Sequence, residues 1–355
     1  MLKELHGQNK QFNVLLGFDG FVDKILKPIQ MKCNESAGEF QTMKDFAEYI
    51  SAKSGMSCSI DLETMQEKIG GNMPIAANAL GNLGCHTVCV GAMGYPEINP
   101  IFKNMNSNCE LVSVSNPGYC NSLEFGDGKL MLATNTDIDQ LDYAKLVAGI
   151  SKEKLIKYFE ECDATAFLNW GELIHSNDIW ENILKDIIPK CKFSAKKKML
   201  IDFSDFSKRR SSEVKHMLSM LEEYSKYFDI VVSINENELS QFMDKLQIGS
   251  ELSEENVIGL SKYFTCEHFV VHLLQSSWYV SEGEVHVIEK EVIKKPKIIT
   301  GGGDNFNAGL LFGLLIGLDI ESAIKLGAGV SCLYVRDAKE VSFEKLVNYI
   351  SNSEI

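Results

Sequence analysis

The sequence predicts an α/β protein: a doubly wound, mostly parallel sheet with helices on both faces and a small β lid. Three observations point there. Short β-branched and apolar runs alternate with amphipathic stretches, several runs end in a polar residue, and two polar segments with strand-like pieces break the rhythm.

In chain order the apolar runs are NVLLG (13–17), TVCVG (87–91), TAFLNW (165–170), MLIDF (199–203), IVVSIN (230–235) and HFVVHLL (268–274). Their composition reads as strand, and the stretches SNDIWENILKDIIPK and SSEVKHMLSMLEEYSKYF between later runs read as helix. Asp19 lies two residues beyond the first run, while Asn169, Asp202 and Asn235 close or follow later ones. Doubly wound sheets bind ligands at the carboxyl ends of their strands, so one site should collect these residues.

Residues 20–65 and 109–137 interrupt the pattern. Within YCNSLEFGDGKLMLATN, Gly126, Asp127 and Gly128 read as a hairpin turn, and MKDFAEYISAK (43–53) reads as an extra helix beside it. With no internal repeat or Pro-rich linker, the expected organisation is one domain over residues 1–355. A discontinuous lid, approximately 20–65 and 109–137, is inserted in it.

Composition narrows the function classes. The chain of 355 residues can bury a sizeable core, and 45% hydrophobic with 24% charged residues is ordinary for a soluble protein. A net charge of -14, with no basic tract longer than the three residues KKK at 196–198 and KRR at 208–210, argues against nucleic acid as a partner. The ten cysteines show no C-x-x-C pair or zinc-ligand spacing, which fits free thiols in a reducing cytoplasm. The most apolar window, Ala308 to Leu318, is too short to span a bilayer, and no membrane partner is expected. Its Gly309, Gly313 and Gly317 recur every fourth residue, which would let a core helix approach its neighbours closely.

The chemistry concentrates in IITGGGDNFNAG, residues 298–309. Gly301, Gly302 and Gly303 feed a helical pattern, so free N–H groups and the positive end of the helix dipole make an anion site. The segment lacks the Lys-Ser/Thr ending of a Walker-A loop and the spacing of a dinucleotide fingerprint. Asp304 follows where a carboxylate can cap the helix or reach a ligand held at the glycines. A phosphoryl-transfer enzyme uses both parts: amides for the charge on the transferred phosphate, a carboxylate for the proton of the attacking hydroxyl.

With these residues in view, the chain resembles the ribokinase-like (PfkB) carbohydrate kinases from about residue 13 to 340. That family's C-terminal signature, D-T-x-G-A-G-D-x-F-x-A-G, is matched by residues 298–309, and its N-terminal G-G pair and small-residue helix by GGNMPIAANALGNLG at 70–84. The resemblance implies that Asp304 is the catalytic base, with the backbone of Gly301, Gly302 and Gly303 as the anion hole. It implies sugar contacts from Asp19, Asp23, Gly71 and Asn72, with Asn169 at the corresponding end of a later strand. SINENE at 233–238 matches the family's N-x-x-E motif through Asn235 and Glu238. Asn235, Glu238, Thr300, Gly301 and Gly303 would then meet the nucleotide, and Glu238 would help to place Mg²⁺ through water. Read locally, Asp19 and Asp23 also suit a turn, and Asn235 with Glu238 a helix cap.

The sequence departs from the family pattern at three places. Ile298 and Ile299 stand for Asp-Thr, removing a side-chain ligand for a monovalent cation; HLLQSS at 272–277 replaces a T-x-G-x-x-G loop; and Ile75 stands where Asn is usual. The expected activity is ATP-dependent phosphorylation of a hydroxymethyl group on a small sugar by a cytoplasmic enzyme. A nucleoside kinase of the same fold and a non-catalytic sugar-binding protein are the alternatives, and a homodimer is the assembly to test.

Overall fold

Apolar runs of this kind become strands buried on both faces, because successive side chains point to opposite sides. The computed structural model describes residues 5, 10–32, 37–249, 251–298 and 300–352. In it β1 (Asn13–Phe18), β5 (His86–Gly91), β6 (Cys109–Ser113), β9 (Ala164–Phe167), β10 (Lys197–Ile201), β11 (Phe228–Asn235) and β12 (His268–His272) pair in parallel. The antiparallel strands β13 (Ser276–Ser281) and β14 (Glu284–Glu289) extend this sheet, giving the order β14-β13-β12-β11-β10-β9-β1-β5-β6.

Each run feeds two hydrophobic layers. From β11, Ile230, Val232 and Ile234 enter one layer and Val231 the other; from β10, Met199 and Ile201 part from Leu200 in the same way. The first layer is closed by α3 (Tyr143–Ile150), α4 (Lys152–Glu161), α5 (Ser176–Asp186), α6 (Ser211–Tyr224), α7 (Glu236–Leu246) and α8 (Glu254–Ser261). The second is closed by α2 (Asn72–Asn82), α9 (Gly302–Leu315), α10 (Ile320–Asp337) and α11 (Phe343–Asn352).

α9 and α10 touch where their side chains are smallest. A Cβ on Gly309 would sit 2.8 Å from the Gly327 Cα, and one on Gly313 would sit 2.9 Å from the Ala323 Cα. Gly317 differs from the expected ladder. It lies past the end of α9 with φ of 85°, where a left-handed residue lets the chain turn out of the helix.

A second sheet lies at the carboxyl end of β1. It contains β2 (Phe21–Lys32), β3 (Ala37–Glu39), β4 (Asp61–Gly70), β7 (Gly118–Phe125) and β8 (Gly128–Thr134), with β4 and β7 both paired to β2. The turn between β7 and β8 is Gly126-Asp127, and Asp127 Oδ1 accepts from Met43 N at 2.8 Å, fixing the start of α1 (Met43–Ala52). Leu26, Phe40, Phe46 and Leu123 form a separate small core between α1 and this sheet.

The segment boundaries differ from those expected. Residues 109–113 belong to the large sheet as β6, and the second sheet continues through residue 70 rather than stopping at 65. As an edge strand, β6 leaves none of its residues fully buried, so its sequence is as polar as that of a strand in a small sheet. Among the described residues no helix is long and apolar enough to cross a membrane.

Candidate active site

The turn before α9 is built from glycine because it has to be. Gly301 is the N-cap with φ of 87°, and Cβ atoms on Gly302 and Gly303 would lie 3.1 Å from Val335 Cγ2 and 3.3 Å from His272 Cε1. The first helical bond runs from Asn305 N to Gly301 O at 3.0 Å, so the amides of Gly302 and Gly303 have no partner within the helix. Asp304 is the third helical residue, not the cap, and no side chain caps this helix. Asp304 is 9% exposed, and its pKa is pushed well up by burial and by the negative charges of Asp202, Asp19 and Asp23.

Beside this turn runs a continuous hydrogen-bonded network. Asp19, with no exposed surface, accepts from Asn72 N at 2.8 Å, Met73 N at 2.7 Å and Asn169 Nδ2 at 2.7 Å. It thereby satisfies the amides at the start of α2, where a carboxylate also meets the positive helix end. Asn72 Nδ2 donates to Asp202 Oδ1 at 2.9 Å, Asn307 Nδ2 donates to Asp202 Oδ2 at 2.8 Å, and Ser233 Oγ donates to Asn307 Oδ1 at 2.6 Å. Burial pushes both Asp19 and Asp202 up to about 6 despite these bonds. Gly71 is forced by the same geometry: its φ is 89°, and a Cβ would lie 2.8 Å from Asp19 Oδ2.

The residues expected to meet a sugar therefore divide. Asp19, Gly71, Asn72 and Asn169 share the network, with Asp19 spending its bonds on the protein itself. Asp23 stands apart on β2, opposite Lys68 of β4, and is pushed up by burial against the pull of Lys68 and Lys129. Thr300, expected on the nucleotide side, accepts from Lys68 Nζ at 2.9 Å. Ile75 packs toward Gly301, its Cγ2 3.4 Å from where a Cβ there would stand.

Asn235 and Glu238 form a capping box at the start of α7. Asn235 Oδ1 accepts from Glu238 N at 3.0 Å, and Glu238 accepts in return from Asn235 N at 3.1 Å and Nδ2 at 2.6 Å. Glu238 is 1% exposed and pushed well up by burial and by Asp202 and Asp304. Next to it opens a cavity of about 600 Å³ whose walls include Asn237, His272, Lys290, Gly302, Gly303 and Phe306. Burial pushes His272 down to about 3 and Lys290 down to about 8. The His272 ring lies tilted against Phe306 with centroids 4.9 Å apart, and its buried Nε2 has no hydrogen-bond partner among the described residues.

Among the described residues no three His, Cys, Asp or Glu side chains converge as a ready metal site. Glu238 has both carboxylate oxygens engaged with Asn235, yet Glu238, Asp202 and Asp304 repel one another across the site. That arrangement fits a hydrated cation held through water, which would relieve the repulsion. Ile299 lies outside the described residues. Ile298 packs into the second hydrophobic layer and offers no side-chain oxygen.

Sequence reasoning did not assign roles to Lys68, Ser233, His272, Lys290 or Asn307, and it noted Asp202 only as a strand end. Asn307 stood inside the signature and gave a signal. Lys68 gave none.

Fold and site together define a carbohydrate kinase of the ribokinase-like class. The chain belongs to the prokaryotic ketohexokinase family, whose model matches residues 2–353. It is similar to the ketohexokinase of Haloferax volcanii, 23% identical over 343 residues that cover 95% of this chain and 90% of the relative. Two solved structures share the fold. Ribokinase from Arabidopsis thaliana, complexed with ribose and ATP, superimposes with a TM-score of 0.64 at 15% identity, covering 97% of this chain and 99% of that one. Adenosine kinase from Sinorhizobium meliloti gives 0.64 at 16% identity, covering 96% and 99%. Equal scores for a sugar and a nucleoside enzyme mean that the fold alone does not choose the acceptor.

Proposed function

We propose that this protein transfers the γ-phosphate of ATP to a hydroxymethyl group of a ketohexose. The observation that carries the reading is the placement of Asp304, one residue beyond the open amides of Gly302 and Gly303 and facing the Asp202 side of the network. The hydroxymethyl oxygen attacks the γ-phosphorus as its proton passes to Asp304, and the bond to the β-phosphate oxygen breaks to release ADP. The amides of Gly302 and Gly303 take up charge on the transferred group. Asp23, Asn72 and Asn169 orient the sugar, Asp19 holds Asn72 and Asn169 in place, and the cavity beside Asn235 and Gly303 takes the nucleotide. Mg²⁺, held through water near Glu238, would supply charge neutralisation on the phosphates.

The acceptor class comes from the family, and a substrate panel tests it. With ATP and Mg²⁺, ketohexoses should give the highest kcat/KM among ketohexoses, aldohexoses, pentoses and nucleosides, read by ADP release. A nucleoside at the head of that ranking would replace the sugar reading with the nucleoside one. The second sheet would act as the lid, since β2 and β4 carry Asp23 and Lys68 and closure would exclude water. The nine described cysteines are all unbridged.

Ile298 supports a further expectation. An aliphatic side chain cannot ligate a cation, so turnover should change less than about twofold when K⁺ replaces a large inert cation at equal ionic strength. Strong activation by K⁺ would mean that backbone oxygens build the site without it.

A further inference from the structure

Asp19, Asp23, Asp202, Glu238 and Asp304 place five carboxylates where they act on one another, in a site meant to receive a triphosphate. Helix dipoles and amides offset only part of that negative field. Two ammonium groups among the described residues lie near the anion-binding turn: Lys290 in the wall of the nucleotide cavity, and Lys68, which reaches it from the small sheet. The Lys68 ammonium donates to Thr300 Oγ1 at 2.9 Å, linking β4 to the residue before Gly301 across 232 positions of sequence. It is half-buried, and the charged groups that act on it are Asp23, Lys129 and Glu124. Lys129 is exposed and paired with Glu124 at 2.8 Å, whereas Lys68 points into the site.

An ammonium has three N–H donors, and Thr300 takes one, leaving donors for a ligand in the turn. Lys68 also lies two residues before the Gly70-Gly71 pair that leads into α2, so the strand that frames the sugar site fixes its position. We propose that Lys68 is a catalytic residue that hydrogen-bonds the γ-phosphate of the bound triphosphate and steadies it during transfer. This inference rests on the phosphotransfer reading above. Its consequence is that the small sheet supplies a charge to the reaction as well as a cover.

Two measurements on the full chain test it. In the first, Lys68→Met should lower kcat about 10–100-fold, with the ketohexose dissociation constant and the thermal midpoint little changed. Lys68→Arg should recover part of the rate, and Lys129→Met, which alters the same field from outside, should stay within about twofold of wild type. In the second, calorimetric titration with the β,γ-imido analogue of ATP and with ADP, each with Mg²⁺, should show wild type preferring the triphosphate and Lys68→Met binding both alike. A Lys68→Met protein that keeps both the rate and the preference overturns the inference and leaves the kinase reading intact. Loss confined to sugar affinity likewise overturns it, making Lys68 a sugar ligand. A wild type that binds neither nucleotide overturns both.

Discussion

Asp304→Asn is expected to lower kcat by about 10²–10⁴-fold while the sugar dissociation constant changes little. Asparagine keeps the shape of the side chain, and because Asp304 is the third residue of α9 and caps nothing, the helix start should survive the change. What disappears is the proton acceptor. Burial and three neighbouring carboxylates raise its pKa, which makes it a stronger base and also one that protonates sooner as the pH falls. The wild-type rate should therefore decline on the acid side at a higher pH than an ordinary aspartate would give, and the residual rate of the variant should lack that limb. Steady-state kinetics over pH, beside calorimetric sugar titration, reads both. Undiminished turnover in Asp304→Asn would remove Asp304 from the base role, and a wild type that binds sugar yet turns over no acceptor would make the protein a sugar-binding one.

Gly20→Ala is expected to destabilise the fold by about 3 kcal/mol, at the upper end of what overpacking costs. The methyl group would stand 2.0 Å from the Ala92 carbonyl oxygen and 2.8 Å from its carbon, and backbone atoms cannot rotate aside as a side chain can. Gly20 joins β1 to β2, and its carbonyl accepts from Gly118 N at 2.9 Å, so any shift that admits the methyl also moves Asp19 and the junction of the two sheets. The same substitution at Gly259, inside α8, should be neutral or stabilising by up to about 1 kcal/mol, because a helical interior favours alanine. There the nearest atom, Ile248 Cγ2, is at 3.5 Å, an ordinary contact. Urea unfolding of both variants, with slopes compared to wild type, measures the difference. Equal stabilities would mean that the Gly20 backbone relaxes freely.

What could be read in the sequence follows from how local each feature is. Strands buried on both faces announce themselves as apolar runs, and the glycine turn is legible because three glycines and a carboxylate stand side by side. Of the four polar strand ends expected to meet, Asp19, Asn169 and Asp202 share one network, whereas Asn235 closes a capping box with Glu238. The network's far end was not foreseeable in the same way: Asn307 lies in a buried helix and joins through Asp202, 105 residues earlier, and Ser233. Lys68 looks like any lysine on a polar strand until β4 is laid beside the turn at Thr300. Asp304 reads from the sequence as a residue that can cap the helix or reach a ligand, and the structure gives the cap position to Gly301, in a left-handed conformation, instead.

The order of the large sheet also bears on how the protein is made. Strand β1 is synthesised first; β5 and β6 add to one of its sides, β9 to the other, and β10 through β14 each to the edge left by the strand before. A chain leaving the ribosome can therefore extend this sheet outward without inserting a strand between two already paired. The site is assembled in the opposite spirit, for α9 follows every strand and brings both Asp304 and the Asn307 that ties Asp202 to Ser233. With the roles proposed for Asp304 and the glycine turn, a nascent chain can thus hold a nearly finished scaffold while remaining chemically silent until one late helix docks.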